Sequence, residues 1–338
     1  MLAVLYLVLL PSRFAAVEAT PHSASPIFAI GDLHGDHSAF LAIVRAAGLV
    51  DNSGSWIGGN AVLVQTGDVP DRGPDSLLIV RDLMRLQREA EAAGGRVVTL
   101  IGNHEAMNVT GDLRYVDPGE YAAFRDSRSE DRRNRFYRQH RDRIESATRE
   151  HHPDLTDMEV RQRWIQQTPL GQLELLDAWG PEGEIGEWLA DNPAVALVDG
   201  VLFVHGGISD AYAALPVDEI NERAAAAIAA RDASPDAIIN DPDGPLWYRG
   251  YFMRDEQGER VVIDPGEAEP EVERVLAAYG ARRIVVGHTP SLDGIRVLLD
   301  GKLIAIDTGI SAHYGGARSY LELRGDDVET HIVEGGEE

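Results

Sequence analysis

The amino-acid sequence predicts an α/β fold with a ligand site at the ends of its strands. Short apolar segments bounded by Gly, Asp or Pro alternate with helical patterns, which is typical of a sheet covered by helices. Several of these segments run directly into Asp, Asn or His residues that stand beside glycines. In open α/β sheets the crevice at the carboxyl ends of the strands is where ligands bind.

The strands and early helices can be placed along the chain. Five apolar segments are expected as strands: 26–30, 61–66, 96–101, 201–205 and 283–288. Segment 295–307 is expected as a hairpin with Asp300-Gly301 as its two-residue turn, and 319–324 with 328–333 as a last strand pair. Helices are expected at 38–47 and at 74–93, the second of which opens with proline and closes before two glycines.

The middle of the chain has a different composition. Residues 115–192 contain much charge and few β-branched apolar runs, so they are expected to form a helical insert. The arginine-rich stretch 125–145 is expected as a polar helix with a solvated, mixed-charge face. The alternative is a basic rim that attracts an acidic phosphopeptide.

Composition excludes several function classes. The 338 residues carry a formal net charge of -25, and such a surface repels nucleic-acid phosphates, so no nucleic-acid partner is expected. The chain has no cysteine, which excludes disulfides, thiolate metal sites and a cysteine-based phosphatase mechanism.

The first residues are typical of an export signal. Residues 1–19 carry a short apolar core followed by small residues, with Val17-Glu18-Ala19 as a plausible cleavage site. The apolar run is too short for a comfortable membrane span, and no Lys or Arg precedes it. We expect a periplasmic or secreted protein without stable membrane association after cleavage, or a cytoplasmic one if the start codon is mis-called. An uncleaved tail or anchor is the alternative, and residues 20–338 are expected to form a single catalytic domain.

Residues that can bind metal ions or take part in catalysis stand at the ends of five expected strands. The segments GDLHGD (31–36), GDVPDRG (67–73), GNHE (102–105), HGG (205–207) and GHT (287–289) each lie at the end of an expected strand or directly after it. Carboxylates and imidazoles suit Mn, Fe or Zn, and the absence of sulfur argues against copper(I) and iron–sulfur clusters. Asp68 is the candidate for a carboxylate that bridges two divalent ions about 4 Å apart. Asp36 is expected to brace a ligand or to cap the following helix.

Together these five motifs resemble the phosphoprotein phosphatase branch of the calcineurin-like metallophosphoesterases. The segments GNHEAMN (102–108) and PLWYRGY (245–251) are similar to the Shewanella-like protein phosphatases within it. The resemblance covers residues 27–310. It implies a four-layer α/β/β/α sandwich, in which the helical insert forms a cap near the metal cleft.

The resemblance also implies roles for individual residues. The first metal ion would be bound by Asp32, His34 and Asp68, and the second by Asp68, Asn103, His205 and His288. His104, oriented by Asp71, would be the general acid. Arg72 would hold the substrate phosphate, with Arg249 as the best candidate for a second phosphate-binding arginine. Tyr248 and Tyr251 could form a wall for an aromatic leaving group.

The function implied is that of a dimetal phosphomonoesterase. A metal-bridging hydroxide would attack phosphorus directly, and the substrate would be a phosphorylated protein or peptide with a preference for phosphotyrosine. One alternative is a small-molecule hydrolase such as a symmetrical diadenosine tetraphosphatase, which the DTG at 307–309 favours. The other is a non-catalytic metal-binding or scaffold module. His313 either lines the pocket or lies on the surface, and Asp307 is expected to shape a turn under the site.

Overall fold

The computed structural model describes residues 25–256 and 258–334, so the expected signal peptide at 1–19 lies outside the described residues. The strands of this part are β1 Ile27–Ile30, β2 Val62–Gln65, β3 Arg96–Thr99, β4 Val195–Val198, β5 Val201–Val204, β6 Met253–Glu256, β7 Glu259–Val262, β8 Arg283–Val286, β9 Arg296–Leu298, β10 Leu303–Ala305, β11 Ser319–Arg324 and β12 Asp327–Ile332. The α-helices are α1 His37–Ala46, α2 Ser76–Ala92, α3 Asn103–Thr110, α4 Pro118–Phe124, α5 Ser129–Gln139, α6 Arg141–His151, α7 Asp157–Gln167, α8 Gln172–Ala178, α9 Glu184–Ala190, α10 Val217–Ala230 and α11 Glu269–Tyr279. None of the described helices is long and apolar enough to cross a membrane.

Two five-stranded mixed sheets form the centre of the fold. The first has the strand order β12-β11-β1-β2-β3, and the second has the order β4-β5-β8-β10-β9. In the first sheet β1, β2 and β3 are parallel, and in the second β5, β8 and β10 are parallel. The carboxyl ends of the central strands of each sheet therefore meet at one edge, where the sequence places the candidate site.

Alternate residues of each central strand pack into different cores, because successive side chains of a strand point to opposite faces. In β1, Ile27 and Ala29 join the core between the sheets, whereas Phe28 and Ile30 join the core under the helices. Phe203 of β5 contributes to the same inter-sheet core. Burial on both faces explains why these strands are continuous apolar runs. This arrangement confirms the four-layer α/β/β/α fold.

The helical insert is stabilised by its own ion pairs. The arginine-rich stretch forms two helices, α5 and α6, rather than the one that the sequence suggested, and the break falls at His140. Arg141 and Arg149 both pair with Glu145 and with Asp157. These pairs neutralise Arg141 and Arg149, so this part of the insert carries charges of both signs.

Two hairpins differ from the sequence expectation. In the predicted hairpin Leu298 pairs with Leu303, so the loop has four residues rather than the two of the Asp300-Gly301 turn. Leu299 and Asp300 both have a φ of 53°, so the loop turns through two residues in the left-handed region. The second hairpin, β6–β7, stands outside both large sheets, and the sequence did not predict its two short strands.

Candidate active site

The strand ends bring the motif residues together around one cavity. Each of β1, β2, β3, β5 and β8 is followed within six residues by at least one of them. The cavity has a volume of about 200 Å³ and is lined by Asp32, His34, Asp68, Arg72, Asn103, His104, Tyr115, Trp247, Arg249, His288, Pro290, Asp307 and Tyr314. His205 lies just beneath it and is fully buried. Asp71 is buried beside His104.

The backbone at these strand ends is strained. Five non-glycine residues of the site have φ in the left-handed region: His34 (43°), Asp68 (56°), Asp71 (72°), Arg72 (69°) and His288 (65°). This conformation costs about 1–2 kcal/mol per L-residue. Such strain persists only where surrounding structure over-determines it, and it clusters at functional sites.

Two glycines allow the backbone to come very close to ligand carboxylates. A Cβ at Gly102 would lie 2.3 Å from Asp68 Oδ1, and a Cβ at Gly287 would lie 2.5 Å from Asp32 Oδ1. These distances are too short for any Cβ, so only glycine fits at either position. The glycine that precedes a ligand in these two motifs therefore makes room for the carboxylate from another motif.

Asp68 lies between two groups of ligand atoms. Its Oδ2 is 3.9 Å from the Nε2 of His34, whereas its Oδ1 is 3.3 Å from the Nε2 of His205. His205 Nε2 is in turn 3.0 Å from Asn103 Oδ1 and 3.1 Å from His288 Nδ1. The two carboxylate oxygens thus face different groups, as a bridging ligand requires.

The donor atoms around His205 fit a cation. The Nδ1 of His205 is 2.9 Å from the carbonyl oxygen of Thr66, so in the neutral imidazole Nδ1 carries the proton and Nε2 presents a lone pair. That lone pair faces an amide oxygen, an imidazole nitrogen and a carboxylate oxygen, all within 3.3 Å. Ligand atoms of Asp68, His205 and His288 lie within 4.8 Å of one another, and His and Asp are suitable ligands for Zn, Mn or Fe.

The electrostatics of the buried groups also fit a cation. Burial raises the pKa of Asp32 well above its usual value, and the nearby carboxylates of Asp307 and Asp68 raise it further. Burial lowers the pKa of His34 to about 3, and burial together with His205 lowers that of His288 well below its usual value. The imidazoles are therefore neutral, which is the form that binds metal ions.

His104 is held by a separate carboxylate pair. Its Nδ1 is 2.6 Å from Asp71 Oδ2, while Asn108 donates a hydrogen bond of 2.9 Å to the other oxygen of Asp71. Burial alone would lower the pKa of His104, but the Asp68 charge and the Asp71 hydrogen bond outweigh it and raise the pKa. His104 lines the cavity, and its Nε2 lies 3.9 Å from Asp68 Oδ2.

Two guanidinium groups complete the cavity. Arg72 packs its guanidinium 3.8 Å from the ring centroid of Tyr115, a cation–π geometry that fixes its direction. Arg249 lies across the cavity, where its Nη1 donates to Thr289 Oγ1 at 3.4 Å. The structure therefore brings both predicted phosphate-binding arginines into one cavity with the ligand groups.

Most of the chain matches a known protein family. The family model described as calcineurin-like phosphoesterase matches residues 25–292, a range that contains every ligand group described above. The chain belongs to the calcineurin-like phosphoesterase family. The family match, two curated relatives named Shewanella-like protein phosphatases and a solved structure named a protein-tyrosine phosphatase together identify the chain as a metal-dependent phosphatase.

Curated relatives cover nearly the whole chain. An uncharacterized protein of Schizosaccharomyces pombe is 33% identical over 333 residues, which is 96% of this chain and 84% of the relative. The Shewanella-like protein phosphatase 2 of Arabidopsis thaliana is 31% identical over 307 residues, covering 89% and 75%. A symmetrical bis(5'-nucleosyl)-tetraphosphatase of Burkholderia pseudomallei matches only 30% of the chain, at 29% identity. The resemblance to Shewanella-like phosphatases is therefore confirmed, and the dinucleotide hydrolases are more distant.

Solved structures point to the same group. The cold-active protein-tyrosine phosphatase of a psychrophilic Shewanella species superposes with a TM-score of 0.65. It is 26% identical in sequence, and the match covers 92% of this chain and 81% of that one. The fold and the family prediction thus agree with both comparisons.

One prediction about the site is wrong. Tyr248 and Tyr251 were expected to form a wall for an aromatic leaving group, but neither lines the cavity. Tyr251 is fully buried, and its hydroxyl donates to the carbonyl oxygen of Ile208. The Tyr248 hydroxyl donates to Glu271. The aromatic side chains that do line the cavity are Tyr115, Trp247 and Tyr314.

The remaining predicted residues have distinct places. Asp36 caps α1, because its side chain accepts a hydrogen bond from the backbone of Ala39 at 2.9 Å. His313 is exposed and does not line the cavity. Of the described residues of the helical insert, Tyr115 alone lines it, so the contribution of the insert to the cleft is a single ring at its first position.

Sequence reasoning missed several supporting residues. Glu105 accepts backbone hydrogen bonds of 2.8–2.9 Å from Gly102, Asp68 and Val69, so it ties two strand ends together. Asp307 was assigned a turn role, which it has through the Gly309 amide, but its buried carboxylate also lies beside Asp32. Glu105 had a detectable signal, since a Glu three residues after a helix N-cap is typical of a capping box. Tyr115 and Tyr314 had none.

Proposed function

We propose that this chain is a phosphoprotein phosphatase that uses two divalent ions and prefers phosphotyrosine. One observation carries the proposal: the His104–Asp71 pair, two guanidinium groups and a bridging carboxylate all face a single cavity of about 200 Å³. Hydrolysis of a phosphate monoester can use each of these groups. A scaffold or metal-binding module needs neither the acid nor the arginines.

The ligand groups support a proposal of two metal sites. Asp32, His34 and Asp68 would hold one ion, and Asp68 with Asn103, His205 and His288 would hold the other; the oxygen and imidazole donors suit Mn, Fe or Zn. Divalent ions bound there lower the pKa of a coordinated water and neutralise the charge of the phosphate. The second ion would be held by the donor atoms around His205.

The protein side chains then divide the remaining work. Arg72 and Arg249 hold the phosphate oxygens, since a guanidinium donates two parallel hydrogen bonds to phosphate. His104 donates a proton to the leaving oxygen, which contributes about 10²–10⁴-fold. Asp71 holds the imidazole in the orientation and charge state that this requires.

The aromatic lining supports phosphotyrosine as the substrate group. Tyr115 and Tyr314 both lie near Arg72, at 3.8 Å and 6.0 Å from its guanidinium, and Trp247 lies near Arg249 on the cavity wall. If Arg72 and Arg249 hold the phosphate, the phenyl ring of the leaving group would contact these aromatic side chains. The similar Shewanella protein is named a protein-tyrosine phosphatase, which agrees with this lining.

The test compares matched substrates. Purified protein with added Mn²⁺ is assayed for kcat/KM on one peptide sequence that carries phosphotyrosine, phosphoserine or phosphothreonine, and on diadenosine tetraphosphate. We expect phosphotyrosine to be preferred and two metal ions per chain by elemental analysis. Preference for the dinucleotide would replace the protein substrate with a nucleotide, and one ion per chain would contradict the dimetal assignment.

Export is a further part of the proposal and rests on the sequence pattern of residues 1–19 alone. A periplasmic or secreted location would place the substrate outside the cytoplasm. The intact mass of protein recovered from cell fractions tests it: loss of about nineteen residues in the exported fraction is expected, and a full-length cytoplasmic product would contradict it.

A further inference from the structure

A buried asparagine contacts the far side of the carboxylate that orients His104. Asp71 Oδ2 lies 2.6 Å from His104 Nδ1, and Asp71 Oδ1 accepts a hydrogen bond of 2.9 Å from Nδ2 of Asn108. The same Nδ2 also donates to the carbonyl oxygen of His104 at 3.0 Å. Asn108 is 1% exposed and does not line the metal cavity, so it would contact neither a substrate nor the reacting atoms.

The direction of the Asn108 amide is fixed by its surroundings. Turning the amide over would place its oxygen against a carboxylate oxygen of Asp71 and the carbonyl oxygen of His104, the two atoms that Nδ2 now contacts. A carbonyl oxygen can only accept a hydrogen bond, and so can an ionised carboxylate, so three acceptors would then meet without a proton. The orientation in which Asn108 donates to both atoms is therefore the one that satisfies them.

The Asp71 carboxylate depends on this contact for its orientation. Among the residues that the structure describes, its hydrogen-bond partners are the side chains of His104 and Asn108. These two residues are four apart on α3, so they lie on the same face of the helix, whereas Asp71 stands in the loop after β2 with a φ of 72°. Asn is a weak helix former, and burying its amide costs free energy that these hydrogen bonds offset. Asn108 thus links the loop after β2 to the helix after β3.

We propose that Asn108 is a positioning residue for proton transfer: it holds the Asp71 carboxylate so that Oδ2 stays on Nδ1 of His104 and the imidazole keeps the orientation of a proton donor. The proposal rests on the acid role of His104 in the proposed function. The proton moves from Nε2 of His104 to the leaving oxygen as hydroxide attacks phosphorus and the bond between phosphorus and that oxygen breaks. Without Asn108, Oδ1 of Asp71 is buried without a donor, and the carboxylate can turn away from His104. The proton transfer should then be slower, with phosphate and metal binding unchanged.

The experiment measures kcat, KM and metal content of Asn108→Leu with two aryl phosphates. Phenyl phosphate has a leaving group with a pKa of about 10, which needs the proton, whereas the strongly acidic phenol of 2,4-dinitrophenyl phosphate leaves without it. We expect kcat for phenyl phosphate to fall roughly ten- to a hundredfold, with KM and metal content unchanged. For 2,4-dinitrophenyl phosphate kcat should stay within about threefold. Asn108→Ala removes the same donor without adding apolar bulk, and it should give the same contrast if Asn108→Leu does not fold.

A double substitution separates positioning from a general effect on the structure. In the His104→Asn protein, Asn108→Leu should change kcat for phenyl phosphate by no more than about twofold, because losses from residues that act as a unit do not add. A merely structural role would instead repeat the full loss of the single variant.

Thr110→Val is the matched control. The Thr110 hydroxyl donates to the carbonyl oxygen of Ala106 at 2.9 Å on the same helix, as Asn108 donates to that of His104, but Thr110 does not line the cavity. This variant should keep kcat for both esters within about twofold.

Three results with Asn108→Leu would overturn the proposal: an unchanged kcat for phenyl phosphate, equal losses on the two esters, or a full further loss in the His104→Asn protein. If His104→Asn itself loses equally on both esters, the acid role in the proposed function fails, and the role of Asn108 fails with it.

Discussion

His104→Asn tests the proton-transfer step. The substitution removes the imidazole that Asp71 holds at 2.6 Å, and an amide cannot donate a proton to a leaving oxygen. The metal ligands should stay in place, because the hydrogen bond that fixes Asp68 Oδ1 comes from the backbone N–H of His104, at 2.9 Å. The change is therefore confined to the acid.

The size of the loss should depend on the leaving group. General acid catalysis contributes about 10²–10⁴-fold, and a phenol with a pKa near that of tyrosine, about 10, needs the proton. A strongly acidic phenol such as 2,4-dinitrophenol leaves without it. We therefore expect kcat for phenyl phosphate to fall by about 10²–10⁴-fold, whereas the loss for 2,4-dinitrophenyl phosphate should be no more than about tenfold.

The assay pairs kcat for both esters with the metal content of the variant. Equal losses on the two esters would refute the reasoning, because they would mean that His104 acts somewhere other than on the leaving oxygen. A lower metal content would refute it as well, since His104 would then support the ligands. Asp71→Asn tests the same step more mildly. Without the Asp71 charge the pKa of His104 should be lower, so in the pH profile of kcat the decrease at high pH should begin at a lower pH.

Three other changes test the supporting residues. Tyr115→Leu removes the ring that packs on Arg72 at 3.8 Å, and kcat/KM should fall by about fivefold, chiefly through KM; an unchanged KM would contradict this role. Burial raises the pKa of Glu120 to about 7, so the folded chain holds a proton that the unfolded chain releases above about pH 4.5, and stability falls as pH rises to 7. Glu120→Gln should remove up to about 3 kcal/mol of that fall, seen as a smaller decrease in Tm between pH 5 and pH 8; an identical decrease in both proteins would contradict it. Asp307→Asn removes a carboxylate beside Asp32, so the metal-free protein should melt higher while the gain in Tm on adding Mn²⁺ shrinks; a larger gain would contradict it.

The ligand groups could be predicted from sequence because each is encoded locally. Every one follows an apolar strand and stands next to glycine, as Asp32 follows Gly31 and His288 follows Gly287. Parallel strands place their carboxyl ends at one edge, so local signals were enough to predict the cluster. The strain at His34 and Asp68 is part of the same turns.

The walls of the cavity could not be predicted in this way. Tyr115 and Tyr314 come from segments about 200 residues apart, and nothing local marks either as a site residue. Tyr248 is next to Arg249 in sequence, which suggested a place in the cavity, yet its hydroxyl reaches Glu271 on α11.

Several features of the site lower the stability of the folded chain when no metal ion is bound. Its residues adopt left-handed backbone, and Asp32, Asp68 and Asp307 bury their carboxylates close enough to repel one another. Each feature lowers the stability of the metal-free chain, and divalent cations would reverse the carboxylate repulsion while leaving the strain in place. Metal binding is then linked to folding, because any ligand that binds only the folded state stabilises it. Such local violations are expected where function rather than stability has determined the residues.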